Sequence, residues 1–240
     1  MQHLIYFFLL AFLAEILGTL GGFGSSIFFI PIATYFLDFQ SALGITAIFH
    51  VSSNLSKIAL FRHGFDKKLI VSFGVPAVVA VIIGAFLSKF VNVKILELIL
   101  AFFLIITSVL LLIYNKFKLK ATISNSIGGG LLSGLVAGLI GTGGAIRGMV
   151  LAGYDLGTEV FIATSAIIDL GIDAGRSGVY IFNGYVHKND LFIIPILFVI
   201  SFIGTYIGKM ILKKFSDKQF KTIVLVLILL TGLMTVYKWF

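Results

Sequence analysis

The chain is 240 residues long, and 59% of its residues are apolar whereas only 12% are charged. Soluble domains carry roughly 25% charged residues, so this composition excludes a soluble globular protein and indicates an integral membrane protein. The net charge of +8 does not indicate a nucleic-acid binder, because most Lys and Arg residues stand in short segments between long apolar runs rather than on one solvated face.

The first half of the chain opens with an apolar stretch over residues 4–37, which glycines interrupt between residues 18 and 24. No basic segment precedes this stretch and it contains Glu15, so we expect it to stay in the mature protein rather than to be a signal peptide. A bilayer core of about 30 Å needs roughly 20 apolar residues in a helix. Segments of that length predict three further helices, over residues 41–61, 69–90 and 93–114.

The same order of elements recurs after a polar hinge at residues 115–120. An apolar stretch over residues 122–154 is interrupted at residues 141–144, and helices are predicted over residues 158–182, 191–212 and 219–237. A shift of 120 residues superimposes the glycines of the two interruptions, and a further slip of one residue places Asn54 on Asp173 and Lys57 on Arg176. Self-similarity at a fixed spacing indicates a duplication, so we predict one repeat over residues 1–114 and a second over residues 122–240.

The distribution of basic residues predicts the topology. The segments richest in Lys and Arg are residues 62–68, 115–120 and 209–221, with three, three and five of them. Such loops face the cytoplasm, and all three can do so only if each interrupted stretch crosses an even number of times, as two short arms or as a re-entrant hairpin. Each half then has an odd number of crossings and the second half is inverted, as is common in secondary transporters.

These arguments predict an all-α integral membrane protein with two inverted-topology repeats. Each repeat consists of a glycine-broken helical hairpin followed by three transmembrane helices, and both termini lie outside the cell.

The two interruptions are candidate binding turns. Non-helical backbone at membrane depth is tolerated where it is buried in protein or lines a water-filled cavity, and a helix that starts after such a turn offers unpaired N–H groups and a positive dipole end to an anion. The inverted repeat would bring the two turns together near the membrane midplane. The residues concerned are Gly21, Gly22, Gly24, Ser25 and Ser26 in the first turn and Gly141, Thr142, Gly143 and Gly144 in the second. The alternative is close helix packing by small residues, which we expect of Gly130, Gly134 and Gly138.

Three cations complete the predicted anion site, because ionisable residues inside membrane spans indicate function by default. Arg147 follows the second turn directly, and its guanidinium can bind two oxygens of an oxyanion at once. Lys57 and Arg176 are repeat equivalents, and Asn54 stands beside Lys57 in the same predicted helix. The alternative for Lys57 and Arg176 is that they snorkel to the membrane surface.

Four further residues are candidates for coupling or gating, with a proton as the expected coupling ion: Glu15, His50, Asp169 and Asp173. Asp169, Asp173 and Arg176 stand at i, i+4 and i+7 on one helix face, which fits either proton coupling or a structural ion-pair ladder. His50 is the repeat equivalent of Asp169 and fits either a switch or a neutral hydrogen-bonding residue.

The sequence does not indicate an enzyme. It offers no combination of nucleophile, base and orienting residue, its four His residues show no metal-ligand spacing, and it has no Cys for disulfides or thiolate ligands. We therefore expect no cofactor and no metal. The expected partners are a small anion and the lipid bilayer. The acidic residues favour a coupled carrier, with a passive anion channel and a non-transporting membrane scaffold as alternatives.

The glycine turns and the loops that follow the long helices resemble those of the TauE/SafE sulfite exporter family. The resemblance rests on Gly-Thr-Leu-Gly-Gly-Phe-Gly at residues 18–24, on Gly-Leu-Ile-Gly-Thr-Gly-Gly at residues 138–144, and on His63-Gly64-Phe65-Asp66 and Asn183-Gly184-Tyr185-Val186. It implies transport of sulfite, thiosulfate, sulfoacetate or a related sulfonate across the cytoplasmic cell membrane. The sequence departs from the commoner family pattern at Phe23, where a further glycine is usual, and at Arg147 in the second turn.

Overall fold

A computed structural model describes residues 2–21, 24–62, 64–113, 120–212 and 217–237 of the protein. Within these residues the chain forms helices and no strand, which confirms the all-α fold class. The first half contains α1 (Gln2–Gly21), α2 (Ser26–Ala33), α3 (Phe39–Leu60), α4 (Lys67–Ser88) and α5 (Val93–Ile113). The second half contains α6 (Ile123–Ile140), α7 (Gly144–Leu151), α8 (Thr158–Phe182), α9 (Ile193–Leu212) and α10 (Asp217–Tyr237).

The predicted long helices agree with the structure to within two residues at their described ends, and the end predicted at residue 114 lies outside the described residues. The first interruption is shorter than predicted, because Gly18 and Gly21 belong to α1. Gly18 serves packing rather than the turn: a Cβ there would lie 2.4 Å from Cα of Ser25. Within α4, residues Ile70–Gly74 form a π-helical turn.

Five of the described helices are long and apolar enough to cross a membrane, by length and composition: α1, α4, α5, α6 and α9. Helices α3 and α8 have 22 and 25 residues, so they are long enough as well, but they carry the polar side chains of the interior. The exposed side chains of α4, α5 and α9 are mostly Val, Ile, Leu and Phe. This arrangement fits lipid on the outside and a polar centre between the two halves.

Each interrupted stretch is a hairpin whose second arm is short. Gly18 on α1 lies against Ser25 at the start of α2, and Gly129 on α6 lies against Val150 near the end of α7, so both short arms fold back along the long ones. The short arms have 8 residues each, which is about 12 Å of helix and too short to cross a bilayer core alone. Of the two predicted forms, the described residues therefore fit a re-entrant hairpin.

Helices α3 and α8, the predicted repeat equivalents, run antiparallel along each other. Ser41 Oγ near the start of α3 lies 3.0 Å from His187 Nδ1, which follows α8. At the middle of both helices Asn54 Nδ2 donates to Asp173 Oδ2 at 2.7 Å, and just after α3 the Asp66 N–H donates to Thr164 Oγ1 at 2.9 Å. The packing is also reciprocal, with α1 along α9 and α4 along α6. These directions support the inverted repeat, whose boundaries at residues 114 and 122 stay a prediction.

The helix directions also support the predicted topology. Lys209 donates a hydrogen bond to the carbonyl oxygen of Leu60, so the ends of α3 and α9 lie together. Helices α4 and α6 run parallel, since Gly130 lies against Phe73 and Gly138 against Val81. Because α4 begins shortly after α3 ends, four helix ends lie together at one end of the bundle: the end of α3, the starts of α4 and α6, and the end of α9. Each of them flanks one of the basic segments.

The close contact between α4 and α6 depends on glycines. A Cβ at Gly130, Gly134 or Gly138 would lie 2.3, 2.1 or 2.3 Å from a backbone carbonyl oxygen of α4. This confirms the packing role predicted for these three residues. The hydrophobic effect does not drive helices together within a membrane, so their association depends on the close packing that small residues allow.

We expect Gly134→Ala to lower the free energy of unfolding by about 1–3 kcal/mol, because the added methyl group must push α4 and α6 apart. Gly128 is the matched control in the same helix, since a Cβ there meets no atom within 4 Å. Gly128→Ala should leave stability unchanged or raise it by up to about 1 kcal/mol through helix propensity. Thermal unfolding of the two purified variants in detergent measures the difference, and equal melting temperatures would contradict the packing argument.

Candidate functional site

The two glycine turns meet in the interior of the protein. Ser26 Oγ donates to Thr142 Oγ1 at 3.2 Å across the two halves. Gly24 has a φ of 85° and Gly141 a φ of 80°, left-handed values that favour glycine. Gly21 ends α1, and Gly22 lies outside the described residues.

The two short helices begin without a side-chain cap. The N-cap residue of α7 is Gly143, which has no side chain to offer, and Ser133 Oγ donates to its carbonyl oxygen at 2.9 Å. The N-cap residue of α2 is Ser25, but its hydroxyl donates to Glu15 Oε2 at 2.6 Å and lies 3.0 Å from His50 Nε2. Ser25 thereby connects the first turn to Glu15 and His50 rather than capping its own helix. The first N–H groups of both helices remain donors for an anion.

Glu15 is fully buried and forms the centre of a hydrogen-bonded cluster. Its carboxylate accepts from Lys57 Nζ at 3.0 Å, and Lys57 is itself buried. Four hydroxyls also donate to this carboxylate: those of Thr19, Ser25, Ser53 and Thr205. The ammonium group of Lys57 therefore lies inside the protein and does not snorkel to the membrane surface.

A second cluster joins α8 to both α3 and the second turn. Arg176 Nε donates to Asp173 Oδ1 at 2.7 Å, and another guanidinium nitrogen donates to the carbonyl oxygen of Gly141. Arg176 is only 1% exposed, so it does not snorkel either. Asn54 donates to the other oxygen of Asp173, and His50 Nδ1 lies 3.8 Å from that same oxygen. His50 thus lies between Ser25 of the first turn and Asp173 of the second half.

Asp169 does not join the predicted ladder with Asp173 and Arg176. It forms an ion pair with Arg147, on the first turn of α7. The i, i+3 pair of Asp173 and Arg176 exists, but Asp169 points to a different helix. Arg147 is 2% exposed, so its charge is held inside the protein by this carboxylate.

The pair of Arg147 and Asp169 separates two small cavities. One cavity, of about 10 Å³, is also lined by His50, Asp173 and Arg176. The other, of about 20 Å³, is also lined by Lys57. Each volume is enough for about one water molecule, so neither cavity has room for an oxyanion in this conformation. Apart from Gly21, which is half-buried at the end of α1, the described residues of the predicted site line these cavities or bond to residues that do.

Several residues of this region were not predicted from the sequence: Thr19, Ser53, Ser133 and Thr205. Ser53 carried a usable signal, because it shares one face of α3 with His50 and Lys57 at helical spacing. Thr205 carried none, since it is a lone hydroxyl in an apolar helix and lies 190 residues from its partner Glu15.

The apolar helices and the buried polar site between them are those of a multi-pass membrane protein. The chain matches the family described as sulfite exporter TauE/SafE over residues 7–235, and it belongs to that family. This finding confirms the predicted family resemblance. No curated protein matches the chain. The family consists of membrane transporters of the anion-exporter type rather than enzymes.

Proposed function

We propose that the protein is a secondary transporter that moves a small sulfur-containing or organic anion, such as sulfite, thiosulfate or sulfoacetate, across the cytoplasmic membrane by alternating access. One observation carries the proposal: two glycine turns from oppositely directed halves meet at the Ser26–Thr142 hydrogen bond, beside buried cations. An oxyanion held between these turns would be bound by helix N–H groups and by Arg147.

The cations give the site its preference for anions. Lys57, Arg147 and Arg176 are each less than 10% exposed and stand on three different helices around the turns. Their positive charges are unusual at membrane depth, where they are costly unless they serve a ligand or a partner. Arg147 offers the planar fork that matches two oxygens of a sulfite or sulfonate group.

The small size of the two cavities favours a carrier over a channel. The two cavities next to Arg147 hold about one water molecule each, and the ion pair with Asp169 stands between them. An anion can pass only if this region opens, which is the requirement of alternating access.

Flux measurements on purified protein in proteoliposomes test the proposal. We expect labelled thiosulfate, sulfite or sulfoacetate to enter vesicles loaded with the same unlabelled anion, because a carrier exchanges substrate across the membrane. A channel would give flux driven by the membrane potential without such exchange, and a scaffold would give no flux. Protein-free vesicles are the control, and either of the last two outcomes would overturn the proposed mechanism.

The turn itself can be tested at Gly143, where a Cβ would lie 2.2 Å from the backbone oxygen of Ser133. We expect Gly143→Ala to displace the turn and to lower anion exchange by about tenfold, since overpacking of this kind costs ~1–3 kcal/mol. The matched control is Gly157, which is likewise an N-cap glycine but has no atom within 4 Å of its Cβ position. If Gly143→Ala and Gly157→Ala transport equally well, the second turn does not form the anion site.

A further inference from the structure

The charged side chains around the site balance one another. Three cations and three carboxylates line the two cavities or pair directly with a side chain that does, among the residues the structure describes. They form three ion pairs: Lys57 with Glu15, Arg147 with Asp169, and Arg176 with Asp173. The unoccupied site therefore carries no net charge when His50 is neutral.

An anion that enters this site adds a negative charge for which no cation is left over. An anion that binds the Arg147 guanidinium competes with the Asp169 carboxylate, which now accepts a hydrogen bond from Nη1 of that group. The displaced carboxylate then remains in a dry interior without its counter-charge. Buried carboxylates in that situation become neutral by taking up a proton rather than staying ionised.

Asp169 is the carboxylate best placed to do this. Its side chain is 15% exposed, compared with 0% for Glu15 and 5% for Asp173, and it lines both cavities. Glu15 is held by four hydroxyls in addition to Lys57, and Asp173 by Asn54 in addition to Arg176. Among the described residues, the hydrogen-bonding partner of Asp169 is Arg147, the group that the anion would occupy.

We propose that anion binding at Arg147 is coupled to the uptake of one proton by Asp169, so that the protein moves its anion together with a proton. This inference rests on the proposed function and deepens it. The proton comes from the aqueous phase on the side of the membrane from which the anion enters. It resides on a carboxylate oxygen of Asp169 while the anion is bound to Arg147. When the anion leaves, the ion pair with Arg147 reforms and the proton is released.

The charged groups around Asp169 agree with this assignment. The charged groups that share the two cavities with Asp169 are the cations Arg147 of α7, Lys57 of α3 and Arg176 of α8, together with the carboxylate of Asp173 on its own helix. His50 lines the same cavity and is the other titratable group at hand. Its ring nitrogens already have polar neighbours, since Nε2 lies 3.0 Å from Ser25 Oγ and Nδ1 lies 3.8 Å from Asp173 Oδ2.

The test uses thiosulfate, which stays ionised across the neutral pH range, so that any proton taken up goes to the protein. For the parent protein we expect an uptake of about one proton per bound thiosulfate, and a Kd that rises about tenfold per pH unit once Asp169 is ionised in the empty site. Asp169→Asn mimics the protonated carboxyl group, so it should bind thiosulfate with no proton uptake and with a Kd that does not change with pH. Asp169→Glu should retain the pH dependence. Asp155→Asn removes an exposed carboxylate outside the site and is the control.

Isothermal titration in buffers of different ionisation enthalpy measures both quantities on purified, full-length protein. Thiosulfate binding by the parent without proton uptake would overturn the inference and leave the proposed function standing, and this measurement needs no variant to fold. A pH dependence that persists in Asp169→Asn but vanishes in His50→Gln would also overturn it, in favour of His50. No binding of thiosulfate, sulfite or sulfoacetate by the parent would overturn the proposed function itself.

Discussion

Arg147→Gln is expected to weaken anion binding by about tenfold to a hundredfold, because a hydrogen bond to a charged group contributes about 1.5–3 kcal/mol. Arg147 is 2% exposed and lies in the first turn of α7, so its guanidinium acts together with the N–H groups at that helix start. Arg147→Lys keeps the charge but loses the planar fork, so it should weaken binding of a trigonal or tetrahedral oxyanion less than Arg147→Gln does. Titration calorimetry with the anion identified in the flux assay measures both losses.

A loss of binding in Arg147→Gln has a second explanation that must be separated from the first. Removal of the guanidinium leaves Asp169 buried without its ion-pair partner, which destabilises the folded protein. The double variant Arg147→Gln/Asp169→Asn removes both charges and should recover thermal stability while anion binding stays weak. If the double variant binds the anion as well as the parent does, Arg147 has only a structural role, and Arg176 becomes the next candidate.

The helices of this protein could be predicted from the sequence because most of them are continuous stretches of about 20 predominantly apolar residues. The bounds predicted for α8, residues 158–182, are those observed. The same applies to the glycine contacts of α6, where the spacing of Gly130, Gly134 and Gly138 alone indicated a close helix approach. These features depend on residues that are close together in the chain, so they can be predicted from a short stretch of sequence.

The partners inside the site could not be predicted in the same way, because the two halves bring together residues that are distant in sequence. Spacing placed Asp169 on the same helix face as Asp173 and Arg176, but it did not reveal that Arg147 on another helix would take Asp169 as its partner. Snorkelling was an open alternative for Lys57 because its distance from the helix end allowed it. In the structure the Lys57 ammonium group instead pairs with the buried carboxylate of Glu15, which is 42 residues away in the chain.

The ion pair between Glu15 and Lys57 leads to the prediction with the largest effect on stability. Loss of one partner from a buried pair costs about 3–5 kcal/mol, because the remaining charge is buried without compensation. The two partners are not equivalent here. The Glu15 carboxylate would keep its four hydroxyl donors without Lys57, whereas the Lys57 ammonium would keep only the Ser53 hydroxyl within the described surroundings.

We therefore expect Glu15→Gln to lower the melting temperature of the purified protein more than Lys57→Met does. The double variant Glu15→Gln/Lys57→Met should be more stable than Glu15→Gln alone, since no buried charge is then left unpaired, and the double-mutant cycle should show a coupling of about 0.5–3 kcal/mol. Lys68→Met removes an exposed lysine from the first turn of α4 and controls for the loss of a positive charge in itself. Equal destabilisation by Glu15→Gln and Lys57→Met, without recovery in the double variant, would show that the hydroxyl cluster around Glu15 does not stabilise its charge. Recovery of stability without recovery of anion exchange in the double variant would instead assign the pair a part in transport, because Lys57 also lines the cavity next to Arg147.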